Sequence, residues 1–202
     1  IRNFSTKSRF TQKIMNQKKK VLLHVGCGQK NINQTPFNKD NWKEIRLDID
    51  KGNNPDILNS ITNMIDIKNG SIDAVFSSHN IEHLYTHQVQ IALREFNRVL
   101  KKEGFALITC PDLVSTCQLI SEDKLTEAAY MSPAGPITPL DILYGHRQSI
   151  SKGNEFMSHK TGFTKKTISD SLIKAGFRKV ATKARSINFD LWAIAKKENI
   201  SK

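Results

Sequence analysis

The chain reads as an α/β protein built on one doubly wound, mostly parallel sheet, and three observations carry that reading. An apolar run, Val21–Val25, turns abruptly into Gly26-Cys27-Gly28. Short apolar strands then recur with loops or helices between them. The last two strands are joined by too few residues to cross a sheet, so they must pair antiparallel and one C-terminal strand runs backwards.

Taken in order, Val21–Val25 is the first buried strand, ending in a turn whose glycines let the backbone bend and lie against a ligand. Residues 29–42 are too rich in Asn, Pro and polar groups for a long helix, so this crossover is expected to be loop with a short turn near Asn38–Trp42. A second strand closes on Asp48-Ile49-Asp50, a brief third is Pro55–Leu58, and a fourth is Ser71–Ser78 after the Asn69-Gly70 turn. Val89, Ala92, Leu93, Phe96, Val99 and Leu100 recur at helical steps, which predicts a helix over 87–100. Phe105–Cys110 is a fifth, apolar strand stopped by Pro111. A helix over about 164–175, closed by Gly176, precedes the final hairpin, 179–183 with 188–195. About fifty residues, 113–163, separate the fifth strand from that helix. They are too many for a connection and read as a lid or substrate insertion.

The 202 residues suit a single domain over 20–202. The net charge of +12 is lopsided: seven of the positive charges, and no acid, fall in residues 1–20, so 1–19 is expected to be a basic, flexible extension. With Ile1 at the head, Met15 marks an alternative start, and the acid-free Arg/Ser/Thr composition also resembles an organelle transit segment. No apolar run approaches the roughly 20 residues that span a bilayer. Cys27, Cys110 and Cys117 are odd in number and lie in or near apolar segments, which suits free thiols in a reducing compartment and a cytoplasmic location. Cys-x-x-Cys spacing is absent, and no metal is expected.

A glycine turn followed about twenty residues later by an acid at the tip of the next strand indicates a nucleoside, with the carboxylate on its ribose. A dinucleotide fingerprint would place a third glycine at position 31, where Asn31 stands. The run Ser71–Leu84, with Ser-Ser-His-Asn-Ile-Glu-His-Leu at its end, then Arg98-Val-Leu-Lys-Lys-Glu-Gly104 and Phe105–Asp112, closely resembles the class I S-adenosylmethionine-dependent methyltransferases. Within them it is similar to a small-molecule, type 11-like group, and the likeness resumes at Gly162-Phe-Thr and Ala175-Gly-Phe.

The resemblance implies a Rossmann-like fold and methyl transfer from S-adenosylmethionine to a small-molecule O, N or S acceptor, leaving S-adenosylhomocysteine. It implies that Gly26, Cys27 and Gly28 wrap the methionine and ribose. Asp48, with Asp50 as second choice, would hold the ribose hydroxyls. Ser60 and Ile61 would meet the adenine edge, and His79 and Asn80 would sit under the sulfonium. Three positions depart from the family pattern: His24 and Ser60 stand where acids are usual, and Lys30 where a third close glycine is.

A base is required only when the acceptor starts protonated, and histidine titrates in the right range. His146, His159 and His83 are the candidates, with Tyr144 and Arg147 as substrate-binding neighbours; Arg147 could clamp a carboxylate or phosphate. Glu82 is read as support for the helix start, and Phe189 and Trp192 as core. Two alternatives stay open, a nucleic-acid methyltransferase using the basic tail and a non-catalytic S-adenosylmethionine-binding domain. Against the first, no Asn/Asp-Pro-Pro-Tyr motif follows the fourth strand. The acceptor and the oligomeric state are not specified by these motifs.

Overall fold

The computed structural model describes residues 19–198. The expected basic extension lies outside the described residues, except for Lys19. The strands are β1 Lys20–Val25, β2 Trp42–Asp48, β3 Ile57–Leu58, β4 Ile72–Ser78, β5 Leu100–Pro111, β6 Tyr130–Ser132, β7 Gly135–Ile137, β8 Lys179–Arg185 and β9 Asp190–Lys196. The helices are α1 Thr86–Val99, α2 Leu113–Ser121, α3 Pro139–Tyr144, α4 Arg147–Ser151 and α5 Lys165–Lys174.

Seven strands form one sheet in the order β3-β2-β1-β4-β5-β9-β8, and β6 and β7 pair separately. The first five in that order are parallel to one another, while β9 runs antiparallel to both β5 and β8. The architecture is therefore Rossmann-like, mostly parallel, with one reversed strand near the C-terminus. β5 starts earlier than its apolar run because Leu100 already pairs with Ile72, ahead of a register irregularity.

The two faces of the sheet are covered differently. On one, Val89, Leu93 and Phe96 of α1 and Ile168 and Leu172 of α5 bury themselves against Leu23, Val25, Val75 and Ile108. On the other, Leu22, Ala74 and Phe76 are covered by the β1–β2 loop through Ile32, Phe37 and Trp42. The Phe37 ring meets Trp42 at 4.9 Å and Phe76 at 5.8 Å, both edge-on, a favoured aromatic geometry. Ile32–Gln34 makes a single 3₁₀ turn, capped by Asn31, in addition to the expected turn before Trp42.

Aromatic rings thus do the work of a crossover helix, and His24 helps to hold them down. It is 1% exposed, its Nδ1 lies 2.8 Å from Glu44 Oε1, and Glu44 Oε2 accepts the Ile32 N–H. Burial lowers the His24 pKa, against the opposing pull of Glu44. His24 therefore serves the loop, through the Glu44 carboxylate that also holds the Ile32 N–H.

Among the described residues, no helix is long and apolar enough to cross a membrane.

Candidate functional site

The site lies at the carboxyl ends of the parallel strands, where β1 and β4 are neighbours but their connections leave in opposite directions. Gly26 and Gly28 both sit at positive φ, +56° and +54°. A Cβ on Gly26 would stand 2.2 Å from Asn80 Cγ, whereas one on Gly28 would meet nothing within 4 Å. The first glycine is required by a close approach as well as by its backbone angle; the second is required by the angle alone.

Asp48 closes β2 and is buried. Its Oδ2 accepts the Gly28 N–H at 2.8 Å and its Oδ1 accepts the Asp50 N–H at 2.9 Å. One carboxylate thus ties the glycine turn to the neighbouring strand end. Asp50 accepts the Gly52 N–H through Oδ1. Arg46 braces the same region, donating to the carbonyls of Gly28 (2.6 Å), Lys30 (3.1 Å), Asn53 (3.0 Å) and Asn54 (2.8 Å).

Around this frame lies a cleft of about 360 Å³ lined by Gly26, Gly28, Asp48, Asp50, Ser60, Ile61, His79 and Asn80. Of the residues expected at the cofactor, only Cys27 is not on its surface. The Cys27 thiol is buried, and burial pushes its pKa up to about 11. Asn80 Nδ2 is buried without a hydrogen-bond partner, an amide donor left over beside Gly26. From the segment between β5 and α5, Asn154, Phe156, Met157 and Lys160 complete the lining.

A second chamber of about 370 Å³ adjoins the first. Lys30, Tyr130, Asp141, His146, His159 and Phe189 line it, and His79, His83 and Met157 line both. His79 holds a positive φ of +47°, unusual for a residue with a Cβ. Its backbone N–H donates to the Thr109 carbonyl near the end of β5, which fixes the main chain at the junction. Backbone strain of this kind is retained where the surroundings over-determine it, often at functional sites.

Beneath the junction, Glu82 is 0% exposed, and its carboxylate lies 3.5 Å from His79 Nδ1. Burial works against the Glu82 charge, but His79, His83 and His159 outweigh it and hold the pKa below the usual glutamate value. For His79, burial works against the imidazolium and is outweighed by Glu82, so its pKa is raised. His159 is shifted down by burial, with Glu82 opposing. The His83 and His159 rings pack edge-on at 4.9 Å.

The structure brings His83, His146 and His159 to one chamber, although they come from separate parts of the chain. It leaves Tyr144 and Arg147 outside both clefts. Tyr144 is exposed, and Arg147 Nε donates to Asp141 Oδ1 at 3.0 Å, so the guanidinium is committed to the start of α3 rather than to a ligand. Phe189 is not core: it sits at φ +52°, lines the chamber and stacks on Tyr130 at 6.2 Å. Trp192 is half-buried beneath the Arg185 guanidinium, and Cys117 is exposed on α2. A strand-end aromatic followed by a buried acid looks like core in sequence, and the left-handed turn at Phe189 is what redirects it.

Glu82, read from the sequence as support for the helix start, lies at the site, and Tyr130, Asp141, Asn154, Phe156, Met157 and Lys160 line it without having been assigned there from the sequence. Glu82 carried one readable signal, a carboxylate between two histidines in His79-Asn-Ile-Glu82-His83. Met157 and Lys160 carried none, since their place depends on how the long segment folds back. The Lys160 and Thr161 N–H groups donate to the Glu82 carbonyl, which docks that segment on the strand ends.

Residues 23–108 match the sequence profile of a family described as a methyltransferase domain. No curated protein sequence matches. Among solved structures, the chain is similar to a SAM-dependent methyltransferase from Archaeoglobus fulgidus, at 17% identity and TM-score 0.60, over 95% of this chain and 92% of that one. It is also similar to one from Methanosarcina mazei, at 15% identity and TM-score 0.58, over 93% and 97% of the two chains. A third similar structure is the 1,6-didemethyltoxoflavin-N1-methyltransferase of Burkholderia thailandensis with 1,6-didemethyltoxoflavin and S-adenosylhomocysteine bound (12% identity, TM-score 0.58, 90% of this chain and 72% of that one).

Proposed function

We propose that this chain, a class I S-adenosylmethionine-dependent methyltransferase, transfers the methyl group to an O, N or S atom of a small-molecule acceptor held in the second chamber. The observation that carries the reading is the shared wall of the two clefts: His79, His83 and Met157 line both. A methyl donor over the glycine turn and an acceptor in the chamber would therefore meet across these side chains.

The residues present fit the cofactor. The positive-φ glycines leave room for a ligand to lie on backbone, and Asn80 has an unused amide donor. In this reading Gly26, Gly28 and Asn80 hold the methionine and ribose portion, Asp48 and Asp50 the ribose hydroxyls, and Ser60 and Ile61 the adenine edge. Cys27 contributes through its backbone. Bound S-adenosylmethionine supplies a methyl carbon already activated by its sulfonium. The chain's own task is alignment and, for a protonated acceptor, removal of a proton.

His146, His159 and His83 are the groups in reach for that proton. His146 is held by Ser149 Oγ, 2.7 Å from its Nδ1, which leaves the other ring nitrogen to face a ligand. The segment 113–163 is proposed as the lid and acceptor-binding part. A small acceptor is supported by the chamber's volume and by the 1,6-didemethyltoxoflavin bound in the similar Burkholderia structure.

Calorimetry with S-adenosylmethionine and S-adenosylhomocysteine, followed by labelled-methyl transfer into fractionated metabolites, tests this. The expected result is binding of both ligands and label in a low-molecular-weight product; label in RNA or DNA would overturn the acceptor class. His146→Ala is expected to spare cofactor affinity and to lower turnover by about 10²-fold. Wild-type turnover would remove it from the site.

A further inference from the structure

Three Lewis-basic side chains meet at the boundary of the clefts, and no hydrogen-bond donor is directed at the carboxylate among them. Neither oxygen of the fully buried Glu82 carboxylate accepts a hydrogen bond, and the 3.5 Å to His79 is longer than such a bond. Nδ1 of His83 lies 3.0 Å from the Ser158 carbonyl oxygen, and Nδ1 of His159 lies 2.8 Å from that of Ile142. A carbonyl oxygen only accepts, so each Nδ1 carries a proton and Nε2 is the ring nitrogen left to serve as a metal ligand. A Glu82 oxygen and one ring nitrogen from each histidine lie within 4.8 Å of one another. A carboxylate in a protein interior that accepts no hydrogen bond is costly, and a coordinated cation offsets that cost.

We infer that Glu82, His83 and His159 form a binding site for a divalent transition-metal ion of the Zn²⁺ type, with its open coordination position toward the acceptor chamber. Two imidazoles and one carboxylate make up a donor set of catalytic zinc sites, which keep a further position for water or substrate. Carbonyl oxygens on both Nδ1 atoms are the partners that fix tautomer and ring orientation in metal-bound histidines. A tetrahedral ion with bonds of about 2.0–2.1 Å sets its ligands roughly 3.4 Å apart, so modest side-chain rotations close the set.

Both histidines line the chamber, so a hydroxyl, amine or thiol there completes the coordination and is held in its more nucleophilic form. That role rests on the methyl-transfer reading; the metal site itself does not. With His83 and His159 on the ion, the acceptor's proton passes to His146. Sequence spacing hid the set because only two of its members are adjacent, and His159 is brought to them by the returning segment.

The test titrates metal-free full chain with Zn²⁺ and with Co²⁺, reading heat and the visible d–d bands of Co²⁺. S-adenosylhomocysteine binding is measured on the same samples. One ion per chain is expected, with affinity falling about 10–100-fold or more in both Glu82→Gln and His159→Ala. His159→Ala serves if the buried Glu82→Gln variant fails to fold. No uptake by the wild type, or uptake unchanged in His159→Ala, overturns the site. S-adenosylhomocysteine binding without metal uptake overturns the site and leaves the methyltransferase reading standing. Metal uptake without S-adenosylhomocysteine binding supports the site and overturns the methyl-transfer reading.

Discussion

Gly26 and Gly28 look equivalent in the sequence and are not equivalent in the fold. A methyl on Gly28 has open space and incurs only the left-handed penalty of about 1–2 kcal/mol. A methyl on Gly26 adds to that penalty a collision with the Asn80 side chain, so either the turn or Asn80 must move. Gly26→Ala is expected to weaken S-adenosylhomocysteine binding by at least an order of magnitude more than Gly28→Ala, read by calorimetry; equal losses would mean that Asn80 yields freely. Asp48→Ala removes the acceptor of the Gly28 N–H as well as a carboxylate in the cleft. It is expected to cost about tenfold or more in cofactor affinity, and unchanged affinity would remove Asp48 from the ligand. At this scale the motif residues were legible because local backbone demands select them: glycine for positive φ, an acid at a strand tip. Arg147 was not, because an arginine beside a histidine reads the same whether its partner is a ligand or Asp141.

Among the elements, α3 shows how a short helix can be fixed by its first turn. Thr138 caps it, Asp141 answers with its side chain to the Thr138 N–H and hydroxyl, and Arg147 seals Asp141 from the other side. Burial works against the Asp141 charge, but the bonds from Thr138 and Arg147 win and lower its pKa to about 2. The unfolded aspartate takes up a proton near pH ~4 and the folded one only near pH 2, so this stabilisation is present above pH ~4 and fades as the pH falls to about 2. Asp141→Asn is expected to lose on the order of 2 kcal/mol near neutral pH, with the gap to wild type closing by pH ~2. Thermal melts across that range check it. β1, β4, β5 and α1 were legible because each is a period of apolar residues closed by glycine, proline or a turn. The β1–β2 loop was legible only as not helical. That it covers a sheet face through Phe37 and Trp42, over the His24–Glu44 pair, depends on contacts between residues distant in sequence.

For the whole molecule, the informative contacts are those of the segment between β5 and α5. It returns through Asn154, Phe156, Met157 and Lys160 to line the cofactor cleft, and its backbone hangs from the Glu82 carbonyl. S-adenosylhomocysteine is expected to slow amide exchange over residues 153–161 as well as at the glycine turn; protection confined to 26–28 and 48–50 would show that the segment does not close on the ligand. The mostly parallel sheet with its one reversed strand, and the residues of the glycine-turn cleft, could be read from periodicity and motifs; the strand order could not. The second chamber, proposed for the acceptor, could not be read, because Tyr130, Asp141, His146, His159 and Phe189 converge only through tertiary folding. A wall common to both clefts has a thermodynamic consequence. An acceptor that shifts Met157 or either junction histidine changes the cofactor's affinity, and the cofactor must change the acceptor's affinity by the same factor. Screening compounds for their effect on S-adenosylhomocysteine affinity would therefore rank acceptors without any turnover, and the sign of the coupling would separate those that fill the chamber from those that compete for its wall.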